Sequence, residues 1–382
     1  MCQSCSCAAN GAAAVMDAAS GGAAAMPAFV QSMLDMLNHA GLAMMISIGH
    51  RTGLFDTMTR GVCCETGAPA AWNSEELAKA AGLSERYVRE WLGAMVTGRI
   101  VTLGTDGRYT LPKEHAAWLT RAAEPNNIAV TAQWVGLLGK VEDEVVAAFT
   151  HGRGVPYSSY GKRFHDVMAD ENRQTAVLAL DSAIVPLVEG LHERLERGIS
   201  VLDIACGKGL GMLHLAKRYP RSRFTGVDFS AEAITMGRDE ARAAGVRNLE
   251  LIVGDVTSFG SSGVYDLVTG FDAIHDQAKP AAVLANIRRL LAPGGVFLMQ
   301  DIKARTAHAD NLDHPMGPFL YTISTMHCMS VSLANGGPGL GAAWGREKAL
   351  EMLGEAGFGN VGVNELDHDL INYYYVCRRD AA

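Results

Sequence analysis

The chain has 382 residues, enough for roughly two or three domains, and 48% of them are hydrophobic, so a substantial core can form. A formal net charge of -8 argues against a large nucleic-acid-binding surface. No apolar run reaches the roughly 18 residues that span a bilayer, and the N-terminus lacks a basic region followed by an apolar core. We therefore expect a cytoplasmic protein that neither enters a membrane nor binds nucleic acid.

Residues 1–26 are mostly Ala, Gly and Ser and predict a flexible tail. The motif MCQSCSC within this tail contains Cys2, Cys5 and Cys7, which could surround a soft metal or metalloid. A closed zinc site needs a fourth ligand, for which the adjacent pair 63–64 is the available but poor source. Two interpretations stay open, exposed thiols on a tail or capture of a thiophilic ion or substrate, and we assign no metal site.

Residues 28–60 predict a helix, because large apolar side chains recur along them at helical spacing. Gly53 is the expected end of this helix. Another helix is predicted farther along the chain, where Asn73 or Ser74 can cap its first turn.

A winged helix is predicted within residues 27–122. Ser84 is the expected cap of a further helix over residues 85–96, and a hairpin then turns at residues 105–107. The order helix, turn, helix, hairpin is typical of a domain that either reads DNA or pairs subunits. The second helix mixes acidic with basic side chains, so we expect the domain to form a homodimer.

Residues 123–198 predict helices, interrupted by the segment GRGVPYSSYGKRFHD. We interpret this region as a helical linker that contributes to a substrate pocket. Its candidate substrate contacts are Trp134, Tyr157 and Tyr160, which could equally pack the junction between domains.

The segment from Ser200 to Ser230 predicts a strand, a glycine-rich loop, a helix, a second strand and an acid, a βαβ unit that holds a nucleoside. Gly207 and Gly209 allow the backbone to approach a ligand closely. Asp228, at the tip of the second strand, is placed to accept the two ribose hydroxyls. Asp203, at the entrance of the loop, would repel a pyrophosphate and attract an ammonium group. The pattern therefore favours S-adenosylmethionine, which has an α-amino group and no phosphate, over a dinucleotide.

The motif DIACGKGLG resembles the first motif of class I S-adenosylmethionine-dependent methyltransferases, commonly D-x-G-x-G-x-G, with Ala205 where that family usually has glycine. Four later segments resemble the family's following motifs in order: GVDFS (226–230), VGDVTS (253–258), YDLVTGFDAIHD (265–276) and LLAPGGVFLMQD (290–301). The N-terminal domain is similar to that of small-molecule O-methyltransferases, in which it pairs subunits and helps to wall the substrate pocket. The resemblance implies an α/β fold over residues 199–382, with a doubly wound, Rossmann-like, seven-stranded methyltransferase sheet after an α-helical winged-helix domain.

The resemblance also implies the contacts to S-adenosylmethionine. Asp203 and Gly207 would hold its amino-acid end, Asp228 its ribose and Asp255 its adenine amino group. The complete predicted set is Asp203, Ala205, Gly207, Gly209, Asp228, Phe229, Gly254, Asp255, Val256 and Phe271.

An insertion rich in Met, Gly and Pro, residues 302–345, follows the fifth predicted strand. Ligands of open α/β sheets bind beyond the C-terminal ends of the strands, so we expect the insertion to cover the site as a lid. Phe319, Tyr321 and His327 are its candidate substrate contacts; the other interpretation is a packed helix remote from the substrate. After the insertion, strands near 361–366 and 371–378 should form an antiparallel hairpin.

A hydroxyl that accepts a methyl group needs a base, whereas a thiol or sulfide needs less help. His275 and Asp276 resemble the His-Asp of plant-type O-methyltransferases, whose histidine deprotonates the substrate hydroxyl, so we predict them as the catalytic pair. Asp272 and His327 are reserve candidates.

The predicted function is methyl transfer to a small-molecule hydroxyl, thiol or sulfide. Two alternatives stay open, a DNA-binding regulator that senses S-adenosylmethionine and a methyltransferase that handles a thiophilic metal or metalloid with its N-terminal cysteines.

Overall fold

The structure is a computed structural model that describes residues 26–60, 70–260 and 263–380. The chain divides into two compact units, Met1–His39 and Ala40–Ala382. The cysteines of the predicted tail motif and the pair at 63–64 lie outside the described residues, so both interpretations of them stay predictions.

The first predicted helix exists but is shorter than residues 28–60. Helix α1 (Ala28–Thr52) ends where Gly53 takes a left-handed conformation with φ of 72°, as predicted, and the short helix α2 (Leu54–Met58) follows. The break turns the chain so that Leu54 and Phe55 enter the core of the next domain.

The predicted winged-helix arrangement is present. Its elements are α3 (Ser74–Ala81), α4 (Glu85–Thr97), β1 (Thr102–Leu103), β2 (Tyr109–Thr110) and α5 (Lys113–Leu119). Asn73 caps α3 in a capping box with Glu76, as the spacing predicts. Ser84 occupies the N-cap position of α4, as predicted, but its side chain makes no capping hydrogen bond in the described structure. The two strands pair antiparallel as the wing.

The region between the two domains is helical, as predicted. It contains α6 (Gln133–Leu138), α7 (Glu142–His151), α8 (Arg163–Thr175) and α9 (Leu191–Arg197). Between α7 and α8 the aromatic segment forms a single 3-10 turn at Tyr157–Tyr160.

The second half of the chain forms the predicted seven-stranded sheet. Its strands are β3 (Ser200–Ile204), β4 (Arg223–Asp228), β5 (Leu249–Val253), β6 (Tyr265–Phe271), β7 (Leu291–Ile302), β8 (Val361–Leu366) and β9 (Asp369–Arg378). The order in the sheet is β5-β4-β3-β6-β7-β9-β8, with β9 antiparallel to both of its neighbours and the other pairs parallel. The strand order reverses between β3 and β6, so these two strands flank the switch point where open α/β sheets bind ligands.

Helices cover both faces of this sheet, which makes it doubly wound. The connecting helices are α10 (Leu210–Arg218), α11 (Ala231–Ala243) and α12 (Pro280–Leu290). One hydrophobic cluster contains residues of α12 and the other contains residues of α9 and α10.

The predicted insertion after β7 is helical. It contains α13 (Gly317–Ile323), a π-helical turn at Ser324–Cys328 and α14 (Met329–Ala334), and α15 (Gly345–Glu355) follows. Within the described part of the chain, no single helix has the length and apolar character to cross a bilayer; one bent pair, residues 163–187 with 191–197, meets those two criteria by length and composition alone.

Candidate functional site

A cavity of about 470 Å³ opens at the C-terminal ends of the central strands. The loops after β3, β4, β5 and β6 form its floor, and α8 and the insertion contribute side chains to its walls. The predicted site residues that line it are Ala205, Gly207, Asp228, Phe229, Gly254, Asp255, Val256, Phe271, Asp276, Tyr157 and His327. The topology therefore brings together residues that are up to 170 positions apart in the chain, from Tyr157 to His327.

The loop after β3 reaches the cavity through unusual backbone conformations. Ala205, Gly207 and Gly209 have φ values of 50°, 55° and 69°. At Gly209 a Cβ would lie 2.6 Å from Cδ2 of Leu251, so this glycine is required by space as well as by conformation. Gly209 itself is not among the described residues that line the cavity, and it shapes the loop from beneath.

Asp228 ends β4 and lies against the loop. Its Oδ2 accepts a hydrogen bond from the backbone N–H of Gly207, and its Oδ1 accepts one from Ser230, each at 2.8 Å. Burial raises the pKa of this carboxyl group, while the two N–H groups oppose the rise. A carboxylate oxygen accepts two hydrogen bonds, so both oxygens keep capacity for further donors such as ribose hydroxyls.

Asp203 occupies a more buried place than the sequence suggested. It lies within β3, where its Oδ1 accepts a hydrogen bond from Oγ1 of Thr269 at 2.7 Å, and it is not among the described residues that line the cavity. Burial raises the pKa of this carboxyl group to about 7. Its predicted role at the ammonium end of the cofactor stays a prediction.

The loop after β5 supplies the predicted adenine side of the cavity. Gly254, Asp255 and Val256 all line it, and Asp255 is exposed, with its Oδ1 accepting the N–H of Thr257 at 2.8 Å. Phe229 also lines the cavity, although more than half of its surface is exposed.

His275 does not pair with Asp276 as the sequence suggested. The partner of its Nδ1 is Oδ1 of Asp301, at 2.7 Å, on the neighbouring strand β7. His275 is buried and is not among the described residues that line the cavity. Burial alone would lower its pKa, but the Asp301 carboxylate outweighs burial and raises the pKa well above its usual value. A histidine that is already protonated at neutral pH is a poor base, so the raised pKa favours a positioning role for His275.

Two carboxyl groups near His275 do line the cavity. Burial raises the pKa of Asp276 to about 6, although the charge of His275 opposes the rise. Burial also raises the pKa of Asp272 well above its usual value, and its buried Oδ1 has no hydrogen-bond partner among the described residues. Asp272 holds a left-handed φ of 48°, a strained conformation of the kind found at functional sites.

The six predicted substrate contacts divide into two groups. Tyr157 and His327 line the cavity. Trp134, Tyr160 and Phe319 instead pack in one hydrophobic cluster, in which Trp134 and Tyr160 stack around His327 with ring centroids 6.0 and 5.1 Å away. Tyr321 contacts Asn311 and His308 and is not among the described residues around the cavity. The insertion therefore reaches the cavity through one of its three predicted contacts.

Sequence reasoning missed the polar side chains that complete the walls. Among them are His165 and Asn172 of α8, Lys208, Thr257, Gln277, Lys279 and Asn335, and the apolar Met168 of α8 lines the cavity as well. Lys208 Nζ pairs with Oδ1 of Asp166 on α8 at 2.9 Å, which ties the glycine loop to that helix. The amphipathic pattern of α8 indicates a buried face but does not reveal that part of this face borders a cavity.

The donor set of the cavity suits a nucleoside with hydroxyl and amino groups rather than a metal ion. Within the described residues, no group of three or more His, Cys, Asp or Glu side chains is arranged to hold a metal. The acceptor-only carboxylate of Asp228 and the open backbone at Gly207 fit the ribose and the chain of S-adenosylmethionine.

Two protein-family models match the chain. Residues 40–121 match an Rv2258c-like winged helix-turn-helix domain, and residues 195–356 match a methyltransferase domain. Among curated proteins, the chain is 28% identical over 129 residues to (S)-coclaurine N-methyltransferase of Thalictrum flavum subsp. glaucum. That match covers 33% of this chain and 36% of the relative.

Solved structures match over much more of the chain. An O-methyltransferase family protein from Burkholderia thailandensis superposes with a TM-score of 0.62 at 15% identity, covering 94% of this chain and 100% of the other. Human N-acetylserotonin methyltransferase, solved in complex with S-adenosylmethionine, gives a TM-score of 0.66 at 15% identity, with the same coverage. These matches confirm the predicted fold. Residues 40–121 therefore match a winged helix-turn-helix domain and residues 195–356 a methyltransferase domain, and the chain has the fold of solved O-methyltransferases.

Proposed function

We propose that this chain transfers a methyl group from S-adenosylmethionine to a nucleophilic atom, a hydroxyl oxygen before a thiol or sulfide, of a small molecule bound in the cavity. One observation carries the proposal: the acid that ends β4, the glycine loop and a carboxyl group with a raised pKa all border one cavity. When bound, S-adenosylmethionine supplies a methyl group already activated on a sulfonium, so the protein mainly positions and desolvates the acceptor.

The cofactor end of the cavity would be held by residues of three loops. Asp228 would accept the ribose hydroxyls, and Asp255 would accept the adenine amino group. Gly207 would bring the backbone close to the amino-acid end, where no side chain stands in the way. Phe229 and Phe271, which line the same space, would exclude water from it.

At the acceptor end we assign the base to Asp276. A carboxyl group whose pKa lies near 6 is largely ionised at neutral pH and still basic enough to take a proton from an acceptor hydroxyl. Its neighbour His275 would act through position, holding the segment after β6 against β7 by its bond to Asp301.

A transfer assay tests the proposal. Purified protein is incubated with S-adenosylmethionine carrying a tritiated methyl group and with a panel of phenols, carboxylic acids, amines and thiols. We expect transfer to at least one small acceptor, and we expect Asp228→Ala to abolish it by weakening cofactor binding. Asp239→Ala, on the exposed face of α11, is the matched control and should leave the rate unchanged. Transfer that survives Asp228→Ala intact would remove the assigned role of that residue.

The two alternative functions gain no support from the comparisons. The homodimer and the cytoplasmic location stay predictions. Light scattering on the purified full chain measures the subunit number directly, and a monomer at micromolar concentration would contradict the predicted dimer.

A further inference from the structure

Four buried side chains lie in contact one after the other between the sheet and the cavity wall. This line consists of Asp301, His275, Cys328 and His327. Asp301 on β7 contacts His275, and Cys328 of the insertion contacts both His275 and His327. The exposed fraction of each is 5% or less. The reaction proposed above uses His275 and Asp301 only to hold the segment after β6 in place, and it does not account for Cys328 and His327.

The direction of the first hydrogen bond follows from Asp301. Its Oδ1 also accepts the indole N–H of Trp344 at 2.9 Å and the backbone N–H of Ile302 at 2.8 Å. An oxygen that already accepts two N–H groups acts as an acceptor toward a third partner as well. His275 must therefore donate from Nδ1, and its other ring nitrogen faces the thiol of Cys328.

The charge of His275 decides how the rest of the line is oriented. Asp301 raises the pKa of His275 well above its usual value despite burial, so both ring nitrogens carry protons at neutral pH. The second N–H then points at the sulfur of Cys328. Burial raises the pKa of that thiol, which stays protonated and turns its S–H toward Nδ1 of His327, 3.5 Å away. Because Nδ1 of His327 accepts this hydrogen bond, the single N–H proton of the neutral ring is on Nε2.

His327 ends the line at the cavity. Its exposed fraction is 3%, it lines the cavity, and its Nε2 has no hydrogen-bond partner among the described residues. The ring is fixed by stacking on Phe164, with centroids 4.6 Å apart. Burial and the charge of His275 lower its pKa to about 3, so the ring stays neutral. A buried polar atom without a hydrogen-bond partner destabilises the protein, and a ligand that supplies the partner removes this cost.

We propose that His327 donates a hydrogen bond from Nε2 to an acceptor oxygen of the bound small molecule, and that Asp301, His275 and Cys328 fix it in this donor form. The site thereby selects molecules that present a carbonyl, carboxylate or ionised hydroxyl oxygen to the insertion. Tyr157, which lines the cavity and packs on Phe229 at 5.3 Å, offers an aromatic face for a flat acceptor beside this donor. The substrate class rests on the proposed function, whereas the hydrogen-bond direction does not.

The hydrogen bonds between His275, Cys328 and His327 could also run in the opposite direction, and an experiment can distinguish the two arrangements. If His275 were neutral, its second nitrogen would accept from the thiol, the sulfur would accept from Nδ1 of His327, and Nε2 would be a bare acceptor. The two orientations place the proton of His327 on different ring nitrogens, and nitrogen chemical shifts tell protonated from unprotonated positions.

Nitrogen NMR on the whole chain with isotopically labelled histidine tests the proposal without substrate or cofactor. The signal of His327 is assigned as the one that disappears in His327→Gln. At pH 7 we expect a neutral ring protonated on Nε2. A ring protonated on Nδ1, or on both nitrogens, would overturn the proposal. Cys328→Ala should shift the ring toward a mixture of the two neutral forms, while Cys377→Ala, at a buried cysteine of β9, should leave it unchanged.

Kinetics on any acceptor found by the transfer assay test the substrate class. We expect His327→Phe, which keeps the ring stacking but removes the donor, to raise KM at least tenfold for acceptors with a carbonyl or carboxylate oxygen. His327→Gln, whose amide still donates, should recover part of that loss, and matched acceptors without such an oxygen should change little. Equal losses on both kinds of acceptor would contradict the selection, even if the protein remains an active methyltransferase.

Discussion

Ala205 holds a backbone conformation that an L side chain adopts at a cost. Its φ of 50° lies in the left-handed region, at the position where the resembling family usually has glycine. For a residue with a Cβ this conformation costs about 1–2 kcal/mol. The fold tolerates the cost because β3 and the following glycines determine the path of the loop.

Ala205→Gly is therefore expected to stabilise the protein. The strain it relieves is partly offset by the greater freedom of glycine in the unfolded chain, so we expect a net gain of about 0.5–1 kcal/mol in the free energy of unfolding. Urea unfolding measures it. Ala147→Gly, at an exposed position in the middle of α7, is the matched control and should lose about 1 kcal/mol. A loss of similar size at both positions would show that Ala205 is unstrained.

The pH dependence of the reaction identifies the base. Asp276 must be ionised to accept a proton, and its carboxyl group has a pKa raised to about 6 by burial. Activity is therefore expected to fall as the pH drops from 7 to 5. Asp276→Asn should lower kcat by about 10²–10⁴-fold, and the fall in rate centred near pH 6 should disappear from the pH–rate profile.

His275→Gln is the companion to that measurement. If His275 only positions the segment after β6, this variant keeps the fall in rate near pH 6 while kcat is lowered less than in Asp276→Asn. A fall in rate that disappears in His275→Gln and persists in Asp276→Asn would transfer the role of base to His275, as the sequence first suggested.

The partner of His275 shows which part of the site sequence could not reveal. Asp276 is its neighbour in the chain, but both residues lie in a turn after β6, where adjacency in sequence does not bring two side chains together. The carboxylate that meets its ring, Asp301, is 26 residues away on the adjacent parallel strand. Both strands were predicted from the sequence. The contact between His275 and Asp301, however, depends on the register between β6 and β7, which no local sequence pattern specifies.

At the scale of elements, sequence predicted the strands closely because each is a short apolar run between clear turn signals. Strand β8 has the predicted bounds, and the reversal at β9 follows from the short loop before it. The role of α8 escaped prediction, since one amphipathic face serves equally to fill a core and to wall a cavity. The ion pair between Asp166 of α8 and Lys208 of the glycine loop shows that this helix walls the cavity.

The packing of α11 on the glycine loop rests on one residue without a side chain. At Gly237 a Cβ would lie 2.1 Å from the carbonyl oxygen of Lys208, a backbone atom that cannot move without moving the loop. We expect Gly237→Ala to destabilise the protein by about 1–3 kcal/mol and to weaken cofactor binding. Denaturant unfolding and calorimetry with S-adenosylhomocysteine measure the two effects.

Gly93→Ala is the matched control for that change. Gly93 also lies within a helix, α4, but a Cβ there meets no atom within 4 Å. Alanine should therefore stabilise the protein by about 0.5–1 kcal/mol through its better helix propensity. If both variants gained stability, the glycine loop would have to be free to move away from α11, and close packing at Gly237 would not hold the loop in place.

At the scale of the whole molecule, the cavity couples the ligand to the stability of the sheet. Its walls come from loops after four strands, from α8 and from the insertion, so a ligand that fills it binds the folded state alone. Such a ligand at a hundredfold excess over its Kd adds about 2.7 kcal/mol to the free energy of unfolding. In a chain of this size this corresponds to a rise in Tm of roughly 3 °C.

S-adenosylhomocysteine is expected to produce that rise, and NAD is expected to produce none. The difference has an electrostatic origin, because the carboxyl group of Asp228, at the end of β4, accepts the backbone N–H of Gly207 and so lies against the loop that would otherwise receive a pyrophosphate. Asp228→Ala should remove most of the rise, since the ribose hydroxyls would lose their buried acceptor. Stabilisation by NAD that exceeds the effect of S-adenosylhomocysteine would instead place a dinucleotide in the cavity, and the assignment of every cofactor contact would fail with it.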